Sequence, residues 1–480
     1  MKSISSRLKE LQVLKDKPFA NDVLDREKYA KILTQVVDGY SKSGCVLALN
    51  GKWGTGKTTF VKMWKQHLLN NGYNALYFNA WSQDYVEDPL VALISELEEL
   101  NKSADSKEKY KNIVAATGRI ILSASVAVGS SLLKNVTGMD GNIISSVIDA
   151  TTDKAKEIAD EYIKEYAAQK LAFQQFKERL QEFVDENAVD KPIVFFVDEL
   201  DRCRPDFAVK VLERIKHLFD VENIVFVLSI NKKQLANAIQ GFYGTPNIDS
   251  SDYLRRFIDL EYDIPDPNVE NFITYLYKEY NFDDFFKSEG RVKFFGREGE
   301  DEQFKNTAIK LAKICNIDLR TLDRIFSISR IAIQSCDNNT FVLPDVFFIL
   351  CVLKVVYKEV YLNIEKKKYS IQGLIDELEN TIFSRYISRG DMPYTTTIEW
   401  TLGKLIIQYN MDNRLDVVDK TFKGEPVEGT NKCVYPISTK KFKKDRIDEA
   451  VDWLYLNMHG QYALPLNIMI DRINLLNAIK

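Results

Sequence analysis

Eight consecutive residues, Gly51-Lys52-Trp53-Gly54-Thr55-Gly56-Lys57-Thr58, fit the spacing G-x-x-x-x-G-K-[ST] in full. Glycine loses more conformational freedom on folding than any other residue, so its repeated use after an apolar run asks for a compensating role. A loop without side chains can wrap a phosphate chain and aim its N–H groups inward, at the positive end of the helix that follows. Gly51, Trp53, Gly54, Thr55, Gly56, Lys57, Thr58 and Thr59 would then form a nucleotide cradle. Lys57 would neutralise the β- and γ-phosphates, and the Thr58 hydroxyl would ligate Mg²⁺. The alternative is a plain glycine turn joining a strand to a helix; pattern and context together weigh against it.

Such a loop needs a second acid for the metal. The run VFFVDE ends in Asp198 and Glu199. Asp198 at a strand end would hold Mg²⁺ through water, and Glu199 could polarise an attacking water. Acids also open ordinary loops, so this pair gains its meaning from the glycine loop. Three further positions have a bland reading beside the chemical one. Asn231 could orient the attacking water or simply cap the helix after it. Arg255 and Arg256, in SDYLRRF, could offer a guanidinium to a neighbouring subunit's γ-phosphate, and Arg320, in NIDLRTLDRI, could reach the nucleotide from a helical lid. Each arginine could equally be a surface ion pair.

These residues must be placed by a sheet. CVLALN before the glycine loop, ALYFNAW (75–81), PIVFFVDEL (192–200) and NIVFVLSIN (223–231) are short apolar runs, the last two continuous enough for strands buried on both faces. Helical patterns alternate with them: FVKMWKQHLL, PLVALISELEEL (89–100) with proline at its first turn, and 205–219 with Ala208, Val211, Leu212, Ile215 and Leu218 on one face. The alternation predicts an α/β fold with a parallel sheet and right-handed crossovers. Leu8, Leu11, Leu14, Ile32, Val36 and Val37 suggest a helical N-terminal segment over 1–44. The core is expected over 45–265, with a mostly helical insertion at about 101–185. A mainly α region follows, comprising a helical lid over 266–365, with helices at 311–333 and 344–364, and a C-terminal part over 366–480 whose role the sequence leaves open. The patch 290–303 is expected to be a loop, as is 241–252, which would set Arg255 and Arg256 at a domain edge.

With 480 residues the chain exceeds one compact core, and 45% hydrophobic with 28% charged residues describe an ordinary folded protein. A net charge of −4 provides no global basic field for nucleic acid, and the basic clusters Lys366–Lys368 and Lys440–Lys444 suit solvated faces. Six cysteines at 45, 203, 315, 336, 351 and 433, without paired spacing, and three histidines suggest neither disulfides nor zinc, so a reducing cytoplasm is the expected location. The charged N-terminus lacks the apolar core of a secretory signal. Ile113–Leu133 is apolar, but its uncharged part, 120–133, spans 14 residues and contains several serines, which favours a buried helix over a membrane span.

Taken together, the residues resemble the KAP family of P-loop NTPases, which belong with AAA+ and STAND ATPases to the additional-strand, catalytic-glutamate class. GKWGTGKTTF is of that type. YFNAW (77–81) resembles the family's Phe-Asn-Ala-Trp signature, and DELDRC (198–203) its extended acidic motif, here with Glu199 where Asp is usual. The long separation of Lys57 from Asp198 matches an insertion that in many relatives is a transmembrane hairpin. Here it is short, serine-rich and interrupted by Arg119. The resemblance covers roughly residues 20–335. It implies ATP and Mg²⁺ as ligands, a homo-oligomer, a role as a hydrolytic switch with a sensor or effector protein as partner, and a bacterial setting in which relatives exclude phage. A scaffold that binds ATP with little hydrolysis, a membrane-associated ATPase and a nucleic-acid motor are the competing readings.

Overall fold

The structure is a computed structural model and describes residues 12–137, 153–244, 249–295, 299–336, 342–386, 398–413, 425–426, 433–434, 436–457 and 466–474. The chain divides into two units, Gln12–Asp266 and a second over Pro267–Lys480.

The first unit is built on five parallel strands: β1 (Cys45–Asn50), β2 (Asn74–Asn79), β3 (Ile193–Asp198), β4 (Ile224–Ile230) and β5 (Leu260–Asp263). Their order is β2-β3-β4-β1-β5, so β4 stands as an additional strand between the glycine-loop strand and the acidic strand. Every residue of β3 and β4 is buried, because helices cover both faces. On one face Leu47, Leu49, Val194, Phe196, Val225 and Val227 pack with α1 (Glu27–Gly39) and α2 (Lys57–Asn70). There Trp64 meets the Phe196 ring edge-on at 5.1 Å. On the other, Leu76, Phe78, Phe195, Val197, Phe226 and Leu228 pack with α3 (Pro89–Glu96), α6 (Pro205–Leu218) and the lower parts of α4 (Ala104–Thr137) and α5 (Asp153–Asn187). The two long helices are the insertion, and they run antiparallel: Lys109 pairs with Glu186 at 2.8 Å and Arg119 reaches Gln175 at 2.7 Å.

Several expectations need correction. Leu14 lies in a non-helical stretch and α1 starts only at Glu27, because the Asp22 carboxylate accepts the Arg26 and Glu27 N–H groups and so closes a turn there. Leu8 and Leu11 fall outside the described residues. The edge strand β5 went unread because LEYD is short and charged, with only alternate residues half-buried. The expected loop 290–303 is largely two helices, Glu289–Phe295 and Glu300–Ile314, the second opened by Gly299 at φ 96°. The helix expected over 311–333 is broken at Asn316, whose φ is 50°, and resumes as Leu319–Gln334 under an Asp318 cap. The helix expected over 344–364 breaks at Tyr357 into Pro344–Val356 and Lys358–Glu365. Instead of a loop over 241–252, α7 (Lys232–Tyr243) runs through Gly241 and a short helix α8 (Ser250–Leu254) follows.

Among the described residues the second unit is helical apart from a two-stranded pairing of Glu425–Pro426 with Cys433–Val434. Among the described residues no helix is long and apolar enough to cross a membrane. The α4 backbone is helical through 137, while side chains from 122 onward lie outside the description.

Candidate functional site

The glycine loop joins the end of β1 to the start of α2. Gly54 and Gly56 have φ of 76° and 82°, a region that costs other residues strain. Gly51 is required by proximity: a Cβ there would lie 2.5 Å from Ile264. Its N–H donates to the Ile230 carbonyl at 3.0 Å, tying the loop to β4. The ammonium of the buried Lys57 donates to the carbonyls of Gly51 at 2.6 Å and Lys52 at 3.0 Å, and the hydroxyl of the buried Thr55 donates to the Lys52 carbonyl at 2.9 Å. The lysine thus lies across its own loop, where a phosphate would give it a stronger acceptor.

Asp198 closes β3 at 1% exposure and accepts the Tyr77 hydroxyl at 3.0 Å. Burial, reinforced by the Asp198 charge, pushes the Tyr77 hydroxyl far above its ordinary pKa, so it remains a donor. Glu199 follows in a left-handed turn with φ 62° and ψ 23°. The Asn79 amide donates to one of its carboxylate oxygens at 3.1 Å, and Arg202 pairs with the other at 2.8 Å. Asn79 is fixed in turn because its oxygen accepts the Ser82 N–H at 2.9 Å. The Arg202 guanidinium stacks over Trp81, 5.3 Å from the ring centre. The Trp53 indole N–H donates to Asp201, which fastens the glycine loop to the acidic turn.

Asn231 caps α7: its side-chain oxygen accepts the Gln234 N–H at 3.3 Å. That is the bland reading realised, at a position one residue beyond the β4 end that holds Gly51. Arg255 and Arg256 precede the N-terminal end of β5, where the Asp259 N–H bonds the Val46 carbonyl. They therefore sit at the opposite edge of the sheet from the glycine loop, a strand's length of roughly 20 Å away. Arg255 is exposed and pairs with Asp252 at 3.2 Å. Arg320 lies in the second unit, exposed, on the first turn of its helix. The fold thus brings together Lys57, Thr58, Asp198, Glu199 and Asn231, and leaves the three arginines away from that group within the chain or in the other unit.

Sequence reasoning missed Tyr77, Asn79, Asp201 and Arg202 as site residues. The signal lay in parity, since Tyr77 and Asn79 share a sheet face with Asp198 once Asn79 pairs in register with it.

Among the described residues no group of three or more His, Cys, Asp or Glu could hold a metal by itself. The donor set suits Mg²⁺, which binds through one or two protein oxygens and otherwise water and phosphate. Thr58 could supply such an oxygen and Asp198 could hold the metal through water, and beside Asp198 the buried Ser229 hydroxyl has no hydrogen-bond partner among the described residues.

The family model described as the KAP family P-loop domain matches residues 26–333. The chain belongs to the KAP family of P-loop NTPases. Its fold class follows, and the glycine loop is a nucleotide-binding P-loop. Solved structures of the Aeropyrum pernix ORC2 protein are similar at 13% identity. The ADPNP–ADP complexes match over 90% of this chain and 94% of theirs with TM-score 0.31, and the ADP form over 95% and 97% with TM-score 0.33. No curated protein matches the chain.

Proposed function

We propose that this KAP protein is a Mg²⁺-dependent ATPase acting as a switch, whose nucleotide state controls assembly or a partner protein. The observation that carries this is the pair of carboxylates on consecutive residues, Asp198 buried under the Tyr77 hydroxyl and Glu199 in a left-handed conformation, at the end of the strand one removed from the P-loop strand. In this reading Lys57 moves from its loop carbonyls to the β- and γ-phosphates, while the loop N–H groups orient the chain of phosphates. Mg²⁺, when bound, neutralises phosphate charge. Asp198 accepts hydrogen bonds from the metal's water, Glu199 takes the proton of the attacking water, and the Asn231 amide helps to orient that water. Homo-oligomerisation, a cytoplasmic location and a role in bacterial antiviral defence belong to the same proposal; the location rests on the unpaired spacing of the cysteines, the oligomer on the charge an open γ-phosphate needs and on the family resemblance, and the defence role on the resemblance alone.

A scaffold that binds ATP with little turnover is the second reading. It is favoured by the engagement of both Glu199 oxygens, by Asn79 and Arg202, which restrains the carboxylate and competes with a water for it. Glu199→Gln separates the two. The ATPase reading expects ATP affinity to persist while turnover falls ~10²–10⁴-fold, the usual contribution of a general base. Normal turnover in Glu199→Gln would assign the glutamate a structural role.

A further inference from the structure

Ser229 is the penultimate residue of β4 and fully buried, and its Oγ has no hydrogen-bond partner among the described residues. A strand core would accept alanine or valine there, and a buried hydroxyl without a partner is uncommon enough to call for a missing water, ion or ligand. Its surroundings say which. Ser229 stands in register with Asp198 on β3 and with Leu49 on β1. Its face of β4 also carries Val225 and Val227, which pack toward α2, and Asp198 shares the face of Val194 and Phe196. The hydroxyl therefore opens beneath the start of α2, between the acidic strand and the strand that feeds the P-loop, on the side where Thr58 begins its helix.

Resting on the reading that this site takes Mg²⁺ with a nucleotide, we propose that Ser229 is a positioning residue for the metal's hydration shell. Its hydroxyl donates to, or accepts from, a water that Asp198 also holds. Magnesium dehydrates reluctantly and keeps several waters, so a site with only one carboxylate and one threonine needs outer groups to fix those waters. A serine fits this task because its single hydroxyl can both donate and accept by rotation. It also explains why the group stands unpaired while the neighbouring Asp198 is already served by Tyr77.

The test is Ser229→Ala, which removes one oxygen and no packing. Mg²⁺ is titrated calorimetrically into the ADP-bound protein, ADP binding is measured in excess chelator, and the melting temperature of the nucleotide-free protein is recorded. The proposal expects Mg²⁺ to bind about tenfold more weakly, at the low end of what outer partners of a metal contribute. ADP affinity without metal should stay within about twofold, and the nucleotide-free protein should melt at the same or a higher temperature, since an unpaired buried hydroxyl has been removed. Unchanged Mg²⁺ affinity would overturn the assignment, as would a lowered melting temperature with Mg²⁺ affinity intact, which would mark Ser229 as a packing residue. Wild-type protein whose ADP binding ignores Mg²⁺ would instead defeat the underlying metal reading, an outcome visible before any variant is made.

Discussion

At the residue scale the P-loop lysine and the second acid have distinct duties, and substitutions should separate them. Lys57→Ala removes the buried ammonium that bonds the loop carbonyls, so ATP binding or hydrolysis should be lost; fluorescent-nucleotide titration checks it, and wild-type affinity would refute the cradle. Arg202 is a subtler case. Its guanidinium holds one oxygen of Glu199 at 2.8 Å while stacked on Trp81. If that contact restrains the base, Arg202→Ala should raise basal turnover several-fold without changing ATP affinity, and Arg202→Lys should restore the restrained rate. A fall in turnover would mean that the arginine aligns the glutamate rather than restraining it. The placement of Lys57 and Thr58 at the end of a glycine loop, and of Asp198 and Glu199 at a strand end, was legible from the loop motif and the apolar run before the acids, because a loop and a strand end each concentrate their polar groups in consecutive residues. Asn79 and Arg202 were not, because their role comes from strand register and from a three-residue turn.

At the element scale, buried parallel strands with continuous apolar runs were legible to within two residues, and β5 was not, since an edge strand half open to water has no need of such a run. Helix breaks in the second unit were equally hidden: Asn316 ends one helix through a single left-handed residue inside an apolar period that continues beyond it. That unit also contains a close helix contact. A Cβ on Gly403 would lie 2.6 Å from the Ala450 methyl and 3.1 Å from the Ile447 carbonyl, where helix Ile398–Asn413 meets helix Lys444–Asn457. Gly403→Ala gains helix propensity but must push these helices apart, and overpacking of this kind costs ~1–3 kcal/mol. A lowered denaturation midpoint is therefore expected, and an unchanged or raised one would show that the helices can slide apart freely.

At the scale of the whole molecule the position of Arg255 and Arg256 matters. They lie at the wrong edge of the sheet for their own P-loop, so any catalytic role must be exercised on another copy. A guanidinium supplied across an interface is worth ~10³–10⁵ in rate where it operates. Mixing the inactive Lys57→Ala protein with the Arg255→Ala/Arg256→Ala double variant should restore part of the hydrolysis if the arginines work in trans. No restoration, with a monomeric mass in the presence of ATP, would leave them as surface charges, which the Arg255–Asp252 pair already illustrates. The sequence could not decide this, because an oligomer interface leaves no periodic mark within a single chain.

The antiparallel insertion makes the protein modular. Its two ends meet at the sheet, where the Asn74 amide donates to the Asn187 carbonyl at 2.7 Å and the Ser106 and Asn187 side chains bond each other. Among the described residues, the last member of the buried core on α4 is Ile120 and the first on α5 is Ala172. With Arg119 opposite Gln175, residues 122 and 171 should stand nearly across from one another, close enough for the 2–5-residue loop that joins helical hairpins. We expect the stretch between them to tolerate shortening, exchange with a relative's or replacement by a reporter. A chain carrying such a graft should fold with its P-loop intact and bind ATP as before. Loss of ATP binding in a folded graft would show that the distal cassette is wired to the P-loop.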